Sequence, residues 1–258
     1  MNRQIQIVSN GQELARKAAM EFVRLATDPG RGEGVFTTAL SGGSTPKLLY
    51  SLLAGDETMR KAVPWERVHF FWGDERHVPP DHPESNYRMA HEALLSKIPL
   101  PAANVHRIKS ENPDAHQAAA GYEQEIRKFF QLPEEGFPRF DLVFLGLGPD
   151  GHTASLFPGT KALNEDRRLV VSNWVGKFDT QRITMTAPLI NEASEVIFLV
   201  AGDDKAAPLK SVIEGDYEPA QLPAQLIRPE KGTLLWLVDS VAARLLQAGG
   251  LPFNVPSP

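Results

Sequence analysis

The chain has 258 residues, enough for one large domain or two small ones at roughly 100–200 residues each, and its 42% apolar and 23% charged content is that of a folded globular protein. With 27 Lys+Arg against 32 Asp+Glu the formal net charge is −5, which disfavours a general nucleic-acid partner but leaves room for local cations around a small anion. Cysteine is absent, which excludes disulfides, thiolate nucleophiles and Cys-ligated metal centres, and no apolar stretch approaches the ~20 residues that span a bilayer.

The start, MNRQIQIVSN, lacks the apolar region of a secretory signal, so the expected compartment is the cytoplasm, with no membrane partner. Short apolar runs then recur at 5–8, 34–40, 68–72, 140–146, 168–174, 183–187, 196–201 and 233–238. Several are apolar on nearly every residue, the pattern of strands covered on both faces. Helical patterns lie between many of them. Asn10 can cap a helix whose Leu14, Ala18, Phe22 and Leu25 share a face, and Pro46 suits the first turn of one carrying Leu48, Leu49, Leu52 and Leu53. Further helices are predicted over 86–96, 114–130, 203–213 and 240–247, the last stopped by Gly249-Gly250. This alternation predicts an α/β fold, Rossmann-like, with a mainly parallel sheet flanked by helices. The Pro- and Gly-containing stretches 28–34, 131–139 and 215–232 read as loops within a single domain over 1–258, the last long enough to act as a mobile flap.

In open α/β sheets ligands bind beyond the C-terminal strand ends, and four such places carry chemistry. In LSGGSTPK (40–47), Gly42 and Gly43 let backbone N–H groups approach an anion, Ser44 and Thr45 add hydroxyls, and a helix opens behind them. It is either a phosphate loop or a capped turn, and it lacks the Walker A frame. In FFWGDERHVPPDHPESNYR (70–88), Asp74, Glu75 and Arg76 follow a strand, either as an internal ion pair or as ligand contacts. Asp74, Glu75, His77 and His82 match no metal-binding spacing. In FLGLGPDGHTASLFPG (144–159), the glycines spell G-x-G-x-x-G, but no acid ends the next strand as a dinucleotide site requires. The segment reads instead as a tight loop displaying Asp150 and His152, with His152 near a helix start whose dipole would keep the imidazole neutral. The fourth place is the cation pair Arg182 and Lys205, able to neutralise a phosphate if their strand ends converge. Neither G-x-S-x-G nor H-E-x-x-H occurs.

SGGSTP, FFWGDERHVPPDHPESNY, FDLVFLGLGPDGHTASLFPG, RITMTAPLIN and VAGDDKA, in that order over nearly the whole chain, resemble the signature segments of the 6-phosphogluconolactonase family. The resemblance implies the sugar-phosphate isomerase/deaminase-like fold, hydrolysis of 6-phospho-D-glucono-1,5-lactone to 6-phosphogluconate in the pentose phosphate pathway, and no metal or organic cofactor. Lactone hydrolysis needs a base on water, an oxyanion stabiliser and an acid for the departing ring oxygen. His152 is the expected base and then acid, Asp150 its orienting partner, and Arg76 the cation for the oxyanion or the phosphate. Gly42, Gly43, Ser44 and Thr45, with Arg182 and Lys205, are assigned to the 6-phosphate, and Asp74 and Glu75 either touch substrate or hold Arg76. The related deaminases carry a Glu five residues after the His, where this chain has Phe157, and a Tyr where it has Arg76. A sugar-phosphate-binding protein without catalysis would keep the phosphate loop and dispense with His152. The sequence does not distinguish a monomer from a homodimer.

Overall fold

The computed structural model describes residues 2–32 and 34–247, and in these every predicted strand forms, but the strands divide between two sheets. Six of them, β1 (Asn2–Val8), β2 (Phe36–Leu40), β3 (Val68–Trp72), β5 (Leu142–Gly146), β8 (Glu195–Val200) and β9 (Thr233–Asp239), make an all-parallel sheet in the order β1-β9-β8-β5-β2-β3. A three-residue strand absent from the sequence reading, β4 (Asp74–Arg76), pairs antiparallel with β7 (Thr180–Met185), which pairs with β6 (Val170–Val175) in a second, three-stranded sheet. The expectation of a mainly parallel sheet holds for the larger layer. β6 and β7 lie outside it and carry a half-buried or exposed face, as Ser172 and Trp174 show, where the central parallel strands β2 and β5 are buried almost throughout.

The helices follow their local chemistry. The Asn10 side chain accepts from the N–H groups of Gln12 and Glu13 at the start of α1 (Gly11–Ala26), which buries Leu14, Ala18 and Phe22. α2 (Ser44–Gly55) and α4 (Asn86–Ala93) stand after β2 and β4, and Asp114 caps α5 (Ala115–Phe129), which packs against β6 and β7. Between α2 and β3 lies α3 (Glu57–Ala62), capped by Asp56, and after β7 comes α6 (Ala187–Asn191); both short helices went unread because neither has a buried face longer than a turn. After β8 a 3-10 turn at Asp203–Lys205 leads into α7 (Ala206–Glu214). The predicted helix over 240–247 is only a 3-10 turn, Ala242–Leu245, opened by Asp239 accepting from the N–H of Ala242, and Gly249-Gly250 lie outside the described residues. No helix among the described residues is long and apolar enough to cross a membrane.

The 215–232 stretch is not a free flap. The Gln225 side chain accepts from the Glu218 N–H and donates to the Asp216 carbonyl, the N–H of Ala224 donates to the carbonyl of Gly151, and that of Gly159 to the carbonyl of Ala220. Two buried tyrosines close the ends of β2 and β3. Tyr50 Oη bonds both the N–H and carbonyl of Ser41 after β2, at 3.1 and 2.9 Å, and Tyr122 Oη does the same for Trp72 at the end of β3, at 2.8 and 3.1 Å. These hydroxyls satisfy backbone groups where the ladder stops, so the chain can leave the sheet without orphaned donors.

Candidate active site

In the parallel sheet, β2 leads outward to β3, whereas β5 leads to β8 on its other side. The crevice between β2 and β5 is therefore the topological switch point, where loops diverge and a ligand can enter. A cleft of about 290 Å³ opens there, lined by Gly42, Gly43, Asp74, Arg76, His152 and Lys205 together with Ser41, Asn86, Ala154 and the 146–149 backbone. Six of the sequence-predicted site residues thus meet from four separate strand ends.

The loop after β5 is shaped around His152. A Cβ at Gly148 would lie 2.0 Å from His152 Nδ1, so only glycine lets the imidazole fold back over the turn. Gly148 N–H donates to the His152 carbonyl at 2.8 Å. His152 Nδ1 is hydrogen-bonded to Asp150 Oδ1, and Lys177 Nζ reaches Asp150 Oδ2 at 3.2 Å. Burial works against the Asp150 charge, but His152 and Lys177 outweigh it and hold the carboxylate below its ordinary range. Burial likewise pushes the His152 imidazole below its usual value, with Asp150 opposing only in part. The ring is thus neutral near pH 7, its Nδ1–H donates to Asp150, and Nε2 keeps its lone pair. The predicted reason for neutrality was wrong. No helix starts at His152, since 153–160 form turns and an isolated bridge between Thr153 and Leu156, so burial replaces the dipole. Phe157 stacks on the ring at 4.0 Å between centroids.

The small sheet supplies the charges. Arg76 and Arg182 are directly opposite each other on β4 and β7, and the Nε of each is buried without a partner. Arg76 Nη1 donates to the Glu84 carbonyl at 2.7 Å. Arg182 lies over the Phe178 ring, and burial, then the neighbouring Arg76, lower its pKa. Asp74, Glu84 and Glu75 offset part of this repulsion, and the unpartnered Nε–H of each guanidinium is a donor that an anionic ligand would engage. Lys205, from the turn after β8, pairs with Asp204 at 2.8 Å.

The predicted carboxylates divide. Asp74 lines the cleft, its Oδ2 accepting from Ser155 Oγ at 2.6 Å. Glu75 does not reach it. Only 1% exposed, its carboxylate accepts from the N–H groups of Arg76, Asn86 and Tyr87 and from Ser85 Oγ, so it anchors the start of α4 rather than a substrate or the Arg76 guanidinium. His77 is engaged with the Asn112 carbonyl and His82 accepts from the Glu84 N–H, so the four groups that invited a metal reading point to separate partners. Ser44, exposed, and Thr45, half-buried, open α2 directly after Gly43, and their N–H groups face no helical acceptor, as expected of a first turn.

Sequence reasoning missed three contributors. Ser41 Oγ is buried in the cleft wall without a partner, a hydroxyl in the same loop passed over in favour of Ser44 and Thr45. Asn86 Nδ2 donates to the Asp74 carbonyl at 2.9 Å, and its Oδ1 would lie 1.9 Å from a Cβ at Gly42, so that glycine is required by a side chain 44 positions away. Asn173 Nδ2 holds the Ser155 carbonyl at 2.9 Å.

A family profile described as glucosamine-6-phosphate isomerases/6-phosphogluconolactonase matches residues 9–236. A 6-phosphogluconolactonase of Synechocystis sp. is 46% identical over 248 residues, covering 96% of this chain and 100% of the relative. Among solved structures, a 6-phosphogluconolactonase from Trypanosoma cruzi superposes with a TM-score of 0.83 at 33% identity, over 96% of this chain and 98% of the other. A further structure, described as a devB protein, gives a TM-score of 0.86 at 34% identity, over 95% and 100% of the two chains. The chain belongs to the glucosamine-6-phosphate isomerase/6-phosphogluconolactonase family.

Proposed function

We propose that the chain hydrolyses 6-phospho-D-glucono-1,5-lactone to 6-phospho-D-gluconate in the oxidative pentose phosphate pathway, as a cytoplasmic enzyme of one domain that invokes no metal or organic cofactor. Its relatives across most of their length carry the name of this activity. The observation that carries the chemistry is a neutral imidazole with Nδ1 held by an ionised carboxylate, in a cleft lined by Arg76, whose Nε is unpartnered.

In this reading His152 Nε2 takes a proton from water as the water oxygen attacks C1, and the carbonyl oxygen becomes an oxyanion beside Arg76. When the intermediate collapses, the C1–ring oxygen bond breaks and the imidazolium returns its proton to the ring oxygen. Atoms balance with one water consumed, and the product acid ionises to solvent. Asp150 keeps the tautomer that leaves Nε2 basic. Arg182 and Lys205, with the Gly42–Gly43 backbone and the first turn of α2, hold the 6-phosphate far from the reacting carbon, so binding energy becomes orientation. Ser41 joins this group through its unpartnered hydroxyl.

Phe157 argues against deamination. A buried phenyl ring stacked on His152 can neither give nor take the proton needed to open a sugar ring. The test is hydrolysis of fresh 6-phosphogluconolactone by EDTA-treated protein in a rapid coupled assay. A rate well above spontaneous hydrolysis is expected, and a rate equal to it contradicts the proposal.

A further inference from the structure

At the other end of the parallel sheet, where β1 and β9 begin, a second cleft of about 250 Å³ is lined by Arg3, Val212, Ile227, Arg228, Leu234 and Trp236, with Ala224 and Gln225. It lies at the N-terminal strand ends and shares no lining residue with the cleft described above. Its donors lack acceptors. Arg3 Nε is buried without a partner, and Arg3 Nη2 has only the Ile213 carbonyl at 3.5 Å. The Trp236 indole N–H is also unpartnered in a residue 2% exposed. Arg228 lies over the Tyr217 ring at 3.8 Å and spends its Nε on the Gln225 carbonyl, leaving its outer nitrogens unengaged. Among the described residues neither arginine has a carboxylate partner. Burial, and then the nearby Arg228 charge, hold the Arg3 guanidinium below its ordinary pKa.

Two like charges beside each other, one of them half-buried, destabilise the fold unless something opposes them. Outside the Arg76–Arg182 pair of β4 and β7, other arginines are paired: Arg24, Arg88, Arg107, Arg127 and Arg168 each meet a glutamate. The remaining walls, Val212, Ile227, Leu234 and the indole of Trp236, are apolar. Two uncompensated guanidiniums match a dianion, and the walls match an apolar body behind it.

We infer that this cleft is a second ligand site, which takes a small phosphate monoester through Arg3 and Arg228 with its organic part against Ile227, Leu234 and Trp236. It is independent of the lactonase reading. The probe is phenyl phosphate in equilibrium dialysis against the full chain. The Arg3→Gln/Arg228→Gln variant is expected to lose one bound equivalent while hydrolysing lactone within about twofold of the unaltered chain, the usual effect of a substitution remote from the chemistry. Lys205→Ala is expected to retain that equivalent, so failure of the catalytic cleft to bind phosphate would show separately. Should the double variant not fold, Arg228→Gln alone, at an exposed position, is expected to weaken binding about tenfold, the scale of one charge-assisted hydrogen bond. Benzoate, a monoanion of similar body, is expected to bind this site more weakly. Unchanged stoichiometry in the double variant, unchanged affinity in Arg228→Gln, or benzoate binding as tightly as phenyl phosphate would each overturn the inference.

Discussion

The two sheets divide the work of the catalytic cleft. The central strands of the parallel sheet are apolar and buried on both faces, and the sheet acts through the loops beyond its strand ends: the glycine loops after β2 and β5, the latter with His152, and the turn after β8 that carries Lys205. The antiparallel sheet is small and half-exposed, and lines the cleft with the side chains of Asp74 and Arg76 on one strand, with Arg182 opposite Arg76 on the next and Asn173 bracing the Ser155 carbonyl from the third. The layers meet at the His152 loop, through Ser155 on Asp74, Asn173 on the Ser155 carbonyl and the Ser155 N–H on Thr184 Oγ1. A rigid sheet places the loops, and a polar one sets their charge.

Breaking each side should therefore look different. His152→Ala, on the parallel side, is expected to lower kcat by about 10²–10⁴-fold with little change in KM, the range for a lost general base. Steady-state kinetics with fresh lactone check it, and a change in KM alone would move His152 out of the chemistry. Glu75→Ala strips three hydrogen-bond donors at the start of α4, and the Arg76 N–H on β4, of their acceptor and is expected to cost about 3 kcal/mol of stability in denaturant unfolding. A loss of activity in Glu75→Ala without a loss of stability would return Glu75 to the substrate. Arg182→Ala, on the antiparallel side, is expected to raise KM for the phosphorylated lactone about 10–100-fold while barely affecting unphosphorylated gluconolactone, which a charge-assisted phosphate contact implies. Equal effects on both lactones would remove Arg182 from the phosphate.

The smallest effect tests where the layers join. Lys177 sits in the turn between β6 and β7 and touches Asp150; its charge lowers the His152 pKa. Lys177→Ala should shift the acid limb of kcat/KM to higher pH with little change in the plateau, because the imidazolium is then less disfavoured. A limb that stays put or moves down would show that the β6–β7 turn has no electrostatic hold on the catalytic loop.

Legibility followed the same division. Parallel strands announce themselves as continuous apolar runs, so their positions and the loops after them were readable, as was the cap Asn10. β4 was unreadable because three charged residues carry no strand signal; it exists only because β7 supplies the ladder. Glu75 was read as chemistry because adjacent charges look alike in sequence. Which one points into the cleft depends on strand alternation in that unread element. The neutrality of His152 was foreseen but attributed to a helix that does not form, since burial is a tertiary property that no local pattern encodes. Asn86 and Asn173 act through residues distant along the chain, and the Ser41 hydroxyl is set apart only by its burial in the cleft wall, none of which short-range spacing can report.

The central claim is that a neutral His152 takes the proton of the attacking water. The direct measurement is the pH dependence of kcat/KM for 6-phosphogluconolactone, in the unaltered chain and in His152→Ala. Burial lowers the His152 pKa below the ordinary imidazole value of about 6.5, so the base form persists as pH falls and activity is lost only below that value. The account predicts a single ionisation on the acid limb, below 6.5, that disappears with His152. An acid limb above 6.5, or one that survives unchanged in His152→Ala, would contradict it.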